Sequence, residues 1–245
     1  RCMLCPHNRP APQRAVSWTG RRRWQLLVNP YPIVVRHFTV ACADHVPQRL
    51  DRDTLRDMVR LARELTGCVV TYNGPRCGAS IPWHLHLQAV PLDEVPLLRA
   101  ARRAGAPAAA VSVDDALLPL RCCLVTCAAD ADATLLAART IAALPRGAGE
   151  DEPMLNAMAW VDGDGATRIA LVPRRRHRPA LFGTGPGQLL WSPGVIDMMG
   201  VITLPRHEDF EAITPETAAA VYAELSPGDD AWREIENQLT DTTLK

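Results

Sequence analysis

Residues 84–88, His-Leu-His-Leu-Gln, alternate strictly between polar and apolar side chains. Because successive side chains of a β-strand point to opposite faces, this alternation predicts a strand with one polar face and one buried face. His84, His86 and Gln88 would share the polar face, while Leu85 and Leu87 would pack against a core. Alternation alone is typical of an ordinary half-exposed strand, so a chemical role for the polar residues needs further support.

The residues just before this strand supply that support. Residues 73–80, Asn-Gly-Pro-Arg-Cys-Gly-Ala-Ser, form a predicted loop in which Gly74 and Gly78 allow backbone N–H groups to approach a phosphate. Arg76 adds a charged donor and Ser80 adds a hydroxyl donor. A phosphate-binding loop followed directly by a row of histidines indicates a site that transfers phosphoryl groups.

Hydrophobic periodicity predicts an α+β fold made of two halves. The first half reads strand, strand, helix, strand, strand, with strands predicted at 24–28, 33–42, 68–72 and 84–90 and a helix at 52–66. The second half mixes antiparallel strands with helices. Its strands are predicted at 121–127, 155–161, 168–172 and 199–204, and its helices at 131–144 and from Thr214 onward. A helix over 92–105 and a connection over 106–119 are expected between the halves.

Length and charge limit the classes of partner. The chain has 245 residues, enough for one large domain or two compact halves. Lys plus Arg and Asp plus Glu are both 27, so the formal net charge of zero does not favour a nucleic-acid partner. No apolar stretch approaches a membrane span in length.

The first residues bear on the cellular location. Residues 1–5 do not have the pattern of a signal peptide, so we expect reduced cysteines and a cytoplasmic location.

The two motifs together resemble a known family. Asn-Gly-x-x-x-Gly-Ala-Ser followed by His-x-His-x-Gln is similar to the galactose-1-phosphate uridylyltransferase branch of the histidine-triad superfamily. The likeness is closer to GDP-L-galactose phosphorylases, diadenosine tetraphosphate phosphorylases and a bacterial group of uncharacterised relatives. Further similar segments lie at 29–32, 36–38, 44–48, 176–179, 192–197 and 208–210. The resemblance covers most of the chain and implies two histidine-triad-like halves with antiparallel sheets and flanking helices.

The resemblance also implies roles for the site residues. His86 would attack the α-phosphate of a nucleoside diphosphate derivative and form a nucleotidyl-histidine, and Gln88 would donate to a phosphoryl oxygen. Ser80 and the loop amides would hold the other oxygens, and the remaining substrate-binding residues of the loop would be Asn73, Gly74, Arg76, Gly78 and Ala79. In the uridylyltransferases a proline separates the two histidines, whereas Leu85 does so here, which favours the phosphorylase branch.

A metal site is expected near the N-terminus. Cys2 and Cys5 form a CxxC knuckle that can supply two thiolates to one zinc ion, although such half-sites also arise by chance. The resemblance implies the other ligands, because His45 and His84 occupy the positions that complete the zinc site of zinc-bearing uridylyltransferases. The alternative is a metal-free site with ordinary thiols, in which His84 would position the nucleophile or move a proton. His7 is a competing ligand.

A basic run at 174–178, Arg-Arg-Arg-His-Arg, follows a predicted strand. Such a run is typical of a solvated face, and it is equally compatible with a contact to an anionic substrate. The resemblance favours His177 and Arg178 as substrate-binding residues. His37 is predicted to be structural or on the surface, and Asp197 lies in a matching motif without an assigned role.

Together these features predict a nucleotidyltransferase or phosphorylase with a catalytic half at 1–110 and a degenerate second half at 111–245. The favoured donor is a nucleoside diphosphate sugar, with GDP-hexose first, and the acceptor is inorganic phosphate or a sugar phosphate. One alternative is a phosphorylase of dinucleoside polyphosphates such as diadenosine tetraphosphate, with the same nucleophile. Another is a non-catalytic nucleotide-binding zinc protein, which would form no covalent adduct. A homodimer is expected by analogy alone.

Overall fold

The structure is a computed structural model, and it describes residues 1–97, 111–113 and 120–243. Within the predicted connection over 106–119, the described residues 111–113 form a strand; the rest of that connection and most of the predicted helix over 92–105 lie outside the described residues. At the start of that helix, Leu92–Glu94 forms a single 3-10 turn.

The strands form one nine-stranded sheet in the order β1-β2-β3-β5-β4-β8-β9-β7-β6. Every neighbouring pair is antiparallel. The strands are β1 Ala15–Thr19, β2 Arg23–Val28, β3 Phe38–Cys42, β4 Cys68–Asn73, β5 His86–Pro91, β6 Val111–Val113, β7 Leu120–Cys127, β8 Leu155–Val161 and β9 Thr167–Pro173. An antiparallel sheet with separate helices confirms the predicted α+β class.

The α-helices are α1 Arg52–Glu64, α2 Asp130–Ala143, α3 Val195–Met198, α4 His207–Ala212, α5 Pro215–Leu225 and α6 Asp229–Thr243. Residues at both ends of α1 explain where this helix begins and ends. Asp51 caps its start by accepting from the N–H of Thr54, and Gly67 follows its end with φ of 80°. Thr214 caps α5 in the same way, by accepting from the N–H of Thr217, and Pro215 occupies its first turn.

The two halves repeat one topological unit. In the first half β3 leads through α1 to β4 and β5, and the strands lie in the order β3-β5-β4. In the second half β7 leads through α2 to β8 and β9, and the strands lie in the order β7-β9-β8. The units join where β4 pairs with β8, with Thr71 opposite Met158, so their sheets form one continuous sheet.

Apolar side chains cover both faces of the sheet. On the first face, Leu85 and Leu87 pack in a cluster with residues of α1, α2 and α6. On the second face, Val90 and Met158 pack with residues of segment 189–204 and α5. Because side chains alternate along a strand, His86 and Gln88 point to the second face. That face therefore carries His86 and Gln88, whereas His84, the third residue of the predicted polar row, lies before β5.

Three predictions of strand position were wrong. The strand predicted at 33–42 begins only at Phe38, because Arg36 has φ of 60° and the segment before it folds back on His37. The strand predicted at 84–90 begins at His86, and His84 lies in the preceding turn. The strand predicted at 199–204 is irregular, since the N–H and the hydroxyl of Thr203 both donate to the Asp197 carboxylate. Strand β1 was not predicted, because its mostly exposed residues give no alternating pattern.

Two further features bear on the sequence analysis. All eight cysteines are free thiols. Among residues 1–97, 111–113 and 120–243, no helix is both long and apolar enough to cross a membrane.

Candidate active site

His86 is the first residue of β5 and only 6% exposed. Its backbone is held by the buried side chain of Gln48, which accepts from the N–H of His86 at 2.8 Å and donates to its carbonyl at 2.9 Å. The same amide nitrogen of Gln48 donates to the carbonyl of Asn73 at 2.9 Å. Gln48 therefore joins the candidate nucleophile to the start of the predicted phosphate loop, a role that its place in the sequence did not indicate.

The imidazole of His86 has a defined tautomer. Its Nδ1 lies 2.8 Å from the carbonyl oxygen of His84, and a carbonyl can only accept, so Nδ1 carries the hydrogen. Nε2 is left with a free lone pair. Burial lowers the pKa of His86 from its ordinary value, so the ring is neutral at pH 7. A neutral imidazole with an unprotonated Nε2 is the form of histidine that acts as a nucleophile.

Gln88 is oriented by His37. The backbone N–H of Ile33 donates to Nδ1 of His37 at 3.2 Å, so the hydrogen of this ring lies on Nε2. Nε2 of His37 donates to Oε1 of Gln88 at 2.6 Å. With its oxygen engaged, Gln88 keeps its amide hydrogens for an acceptor on the second face of the sheet. The sequence predicts that His37 is either structural or on the surface. It is buried, and it contacts the candidate site residue Gln88 directly.

The loop that follows β4 contains two glycines in close contacts. Gly74 donates to the carbonyl of Leu155 at 3.1 Å, and a Cβ on Gly74 would lie 2.7 Å from that oxygen. Gly78 has φ of 99°, and a Cβ there would lie 2.4 Å from the Cα of Gly194. Only glycine fits at either position without a shift of backbone. The loop is thus packed against the second half of the chain.

Buried amides join this loop to the second half. Oδ1 of Asn73 accepts from Nδ2 of Asn156 at 2.9 Å and from the N–H of Val195 at 2.7 Å. Asn156 also donates to the carbonyl of Cys77 at 2.7 Å and accepts from Arg174 at 2.9 Å. The amide oxygen of Asn73, predicted to bind substrate, is occupied by these contacts, so in this structure Asn73 positions the loop. Asn156 was missed because its partner is far away in the sequence.

The other predicted loop residues are more accessible. Arg76 is exposed, and its guanidinium lies 3.0 Å from the carboxylate of Glu150. Ala79 is half-buried, and Ser80 is exposed at the end of the loop. Ser80 is therefore open to an anion, whereas the guanidinium of Arg76 is paired with Glu150 in this structure.

The basic run divides into residues with different environments. Arg174 is buried, and its guanidinium donates to the carbonyls of Pro193 at 3.1 Å and His177 at 2.8 Å. Arg178 is exposed, donates to Oγ of Ser192 at 3.0 Å and lies 4.2 Å above the Phe182 ring. Burial, together with the nearby arginines, lowers the pKa of His177. Arg174 is therefore structural, while Arg178 is available on the surface.

The predicted metal ligands converge on one point. The ligand atoms of Cys2, Cys5, His45 and His84 all lie within 4.8 Å of one another. Sγ of Cys2 is 3.3 Å from Nδ1 of His84, and Sγ of Cys5 is 3.2 Å from Nδ1 of His45. The two Nδ1 atoms are 3.2 Å apart. In a tetrahedral zinc site, ligand atoms about 2.0–2.3 Å from the ion lie roughly 3.3–3.8 Å apart, so the cluster has suitable dimensions.

The second nitrogen of His84 supports the same assignment. Nε2 of His84 lies 2.8 Å from the carbonyl of Cys42, which accepts its hydrogen and leaves Nδ1 as a free lone pair. Nδ1 of His45 lies 3.2 Å from this lone pair, and a cation or a proton between the two nitrogens stabilises that approach. These residues therefore can hold a metal ion.

Two buried carboxylates organise the segment that faces this site. Asp197 accepts from Nε1 of Trp191 at 2.8 Å and from the N–H of Gly194 at 2.9 Å. Asp209 accepts from the N–H of Leu190 at 2.9 Å and from Arg206 at 2.6 Å. Asp197, to which the sequence assigned no role, thus fixes the loop that contacts Gly78.

Comparisons with known proteins relate the chain to one family description and one fold. A family model described as a domain of unknown function, DUF4922, matches residues 1–91 of the 245. A comparison with curated protein sequences finds no match. The crystal structure of the yeast Ap4A phosphorylase Apa2 is similar with a TM-score of 0.58 and 18% identity, and covers 83% of this chain and 72% of that one.

The same yeast protein is similar in two liganded states. Its complex with Ap4A gives a TM-score of 0.59 at 19% identity, and its complex with AMP gives 0.61 at 20% identity. Each covers 83% of this chain and 73% of the other. At this identity the likeness defines the fold. The chain thus shares the fold of the yeast phosphorylase over most of its length.

Proposed function

We propose that the protein is a nucleotidyltransferase or phosphorylase in which His86 is the nucleophile. The observation that carries this proposal is the 2.8 Å contact between Nδ1 of His86 and the carbonyl of His84. It leaves Nε2 unprotonated in a buried, neutral ring beside a glycine-containing loop. This is the protonation state and tautomer that a histidine nucleophile needs.

The reaction that follows has two displacements. Nε2 of His86 attacks the α-phosphorus of a nucleoside diphosphate derivative, a P–N bond forms, and the bond to the bridging oxygen breaks. The hydrogen on Nδ1 stays with the ring, and the carbonyl of His84 stabilises the positive charge that the ring acquires. An oxygen of inorganic phosphate or of a sugar phosphate then attacks phosphorus, the P–N bond breaks, and neutral His86 returns.

Other residues contribute binding and orientation. The amide hydrogens of Gln88, directed by His37, would donate to a non-bridging phosphoryl oxygen. Ser80, Arg76 and the N–H groups of the loop around Gly78 would hold further oxygens. Arg178, which is exposed on the second half, would approach the phosphates from that side. In this proposal both halves of the chain contribute to binding.

Two donor classes follow from different observations. A nucleoside diphosphate sugar, with GDP-hexose first, rests on the sequence motifs of the second half. A dinucleoside polyphosphate is supported by the fold that the chain shares with the yeast Ap4A phosphorylase, whose structures include complexes with Ap4A and AMP. A non-catalytic nucleotide-binding protein remains the contrasting hypothesis.

We also propose that Cys2, Cys5, His45 and His84 hold a zinc ion. Such an ion would be structural, because all its ligands come from the protein, and it would supply rigidity to the turn before β5. His84 would then serve both parts of the site, since its ring faces the cluster and its carbonyl orients His86.

The test is intact-protein mass spectrometry after mixing with GDP-sugars, UDP-sugars or Ap4A without added phosphate. We expect a mass gain of one nucleoside monophosphate that disappears on addition of phosphate. The gain should be absent in His86→Ala and present in His207→Ala, which removes a histidine whose side chain is 86% exposed. Nucleotide binding without a mass gain for any donor would overturn the covalent mechanism.

A further inference from the structure

An apolar cavity of about 700 Å³ lies on the second face of the sheet. Its walls include Ile33, Phe182, Leu190, Val201, Leu204 and Phe210. This volume is within the usual range for sites that hold small molecules. No residue of the cavity belongs to the catalytic machinery described above.

The cavity adjoins the candidate active site from two directions. Ile33 donates its backbone N–H to His37, which in turn donates to Gln88. On the opposite side, Ser192 lies two residues before Gly194, which contacts Gly78 of the phosphate loop. The walls of the cavity are thus connected to the proposed phosphate-binding groups through Ile33 on one side and through Ser192 and Gly194 on the other.

The cavity has two aromatic residues on which a flat ligand can stack. Phe210 is 65% exposed, so much of its side chain is accessible to a ligand. Phe182 is held by the guanidinium of Arg178, which lies 4.2 Å from the ring centroid. Stacking of a heterocycle on such rings is a common means of binding nucleobases.

Hydrogen bonds to two buried carboxylates hold the walls of the cavity in place. Asp209 is 3% exposed and joins the helix that carries Phe210 to the backbone of Leu190. Asp197 is also 3% exposed and fixes Thr203 by accepting from both its N–H and its hydroxyl at 2.9 Å. A preformed cavity costs less ordering on binding than a flexible one.

We propose that this cavity is the nucleobase subsite of the enzyme and that it prefers adenine to guanine. The inference rests on the proposed function and specifies its substrate class. Among the described residues that line the cavity, none is acidic. Its hydroxyl groups are those of Ser192 and Thr203, which leave one hydrogen to donate and one oxygen to accept.

That pair of groups matches adenine. Adenine offers one exocyclic amine as donor and ring nitrogens as acceptors, so both hydroxyls find partners. Guanine presents N–H groups at N1 and at the exocyclic amine on one edge, and a single acceptor leaves part of that edge unpaired. Unpaired buried donors weaken binding strongly. The cavity thus favours an adenine nucleotide over the GDP-hexose that the sequence places first.

The experiment measures binding of AMP and GMP to the full chain by isothermal titration calorimetry. We expect AMP to bind roughly tenfold more tightly than GMP, and Phe210→Ala and Phe182→Ala to weaken AMP binding roughly tenfold each. The matched control is Leu135→Ala, which truncates a side chain 41% exposed on α2, at the opposite face of the sheet. It should bind AMP as the wild type does.

The possible failures are separable. Equal or tighter binding of GMP, or unchanged AMP affinity in both phenylalanine variants, would overturn the subsite even if the covalent adduct forms. Absence of any binding by AMP would overturn it as well. Loss of AMP binding in Phe210→Ala, together with no adduct in the wild type, would support the subsite and overturn the covalent mechanism.

Discussion

Nε2 of His37 donates to Oε1 of Gln88 across 2.6 Å, from a residue that precedes β3 to a residue within β5. The contact decides which end of the Gln88 amide is free. In the proposed mechanism, an amide turned the other way would direct an oxygen toward the anionic phosphate and repel it. His37 would therefore be a positioning residue that acts through Gln88.

We expect His37→Phe to slow formation of the nucleotidyl-histidine about ten- to a hundredfold, because Gln88 loses the partner that orients it. Donor affinity should change little, since the phosphate loop is untouched. Stopped-flow or quench measurements of adduct formation separate the two quantities. His37→Asn, which keeps a donor, should recover part of the rate. An equal loss in both variants would contradict the orienting role.

The contact between Gly78 and Gly194 predicts a stability effect. Gly78→Ala should lower the free energy of unfolding by about 1–3 kcal/mol, because the new Cβ meets backbone and the φ of 99° is strained. Thermal denaturation measures this. Gly149→Ala, with φ of 76° and open space around it, isolates the strain from the clash. Gly163→Ala, with nothing within 4 Å, should be nearly neutral.

The cluster of Cys2, Cys5, His45 and His84 predicts a bound zinc ion in the purified protein. The purified protein should contain about one zinc ion per chain by elemental analysis. Cys5→Ser should lose most of it, whereas Cys127→Ser, which alters a half-buried thiol outside the cluster, should keep it. Removal of the ion with a chelator should lower the melting temperature, because the ligands come from segments far apart in the sequence. A metal-free wild type with the same melting temperature would exclude a structural ion.

Burial lowers the pKa of His37, so its ring stays neutral in the folded state while an unfolded histidine begins to protonate near about pH 6.5. Its contribution to stability is full above that pH and is lost as the pH falls toward the folded pKa. His37→Gln, which does not titrate, should therefore show a shallower loss of stability between pH 7 and 5. The comparison uses the difference between the two proteins, because His84, His86 and His177 also have lowered pKa values.

Local patterns predicted the parts of the fold that depend on neighbours in the sequence. The alternation around His86 identified the polar face of β5, and the periodicity of residues 52–66 predicted α1 to within a few residues. The run at 199–204 misled because its apolar residues line a cavity instead of pairing in a sheet.

Contacts between segments that are distant in the sequence could not be predicted from local patterns. The bond from His37 to Gln88 depends on the register that places Thr39 opposite Gln88. The link from Asn73 to Asn156 depends on the pairing of β4 with β8. No local pattern reports either register, so Gln48, Asn156 and the orienting role of His37 emerged only from the structure.

The backbone contact of Gly78 with Gly194 has a consequence for inheritance. A Cβ on Gly78 would lie 2.4 Å from the Cα of Gly194, whereas a Cβ on Gly194 would lie 3.8 Å from the Cα of Gly78, an ordinary contact distance. The constraint therefore acts in one direction: residue 78 cannot gain a side chain unless the backbone at 194 moves, while residue 194 is limited mainly by the side chain of Asn73 at 3.3 Å. Related sequences that keep this loop should retain glycine at position 78 more strictly than at position 194.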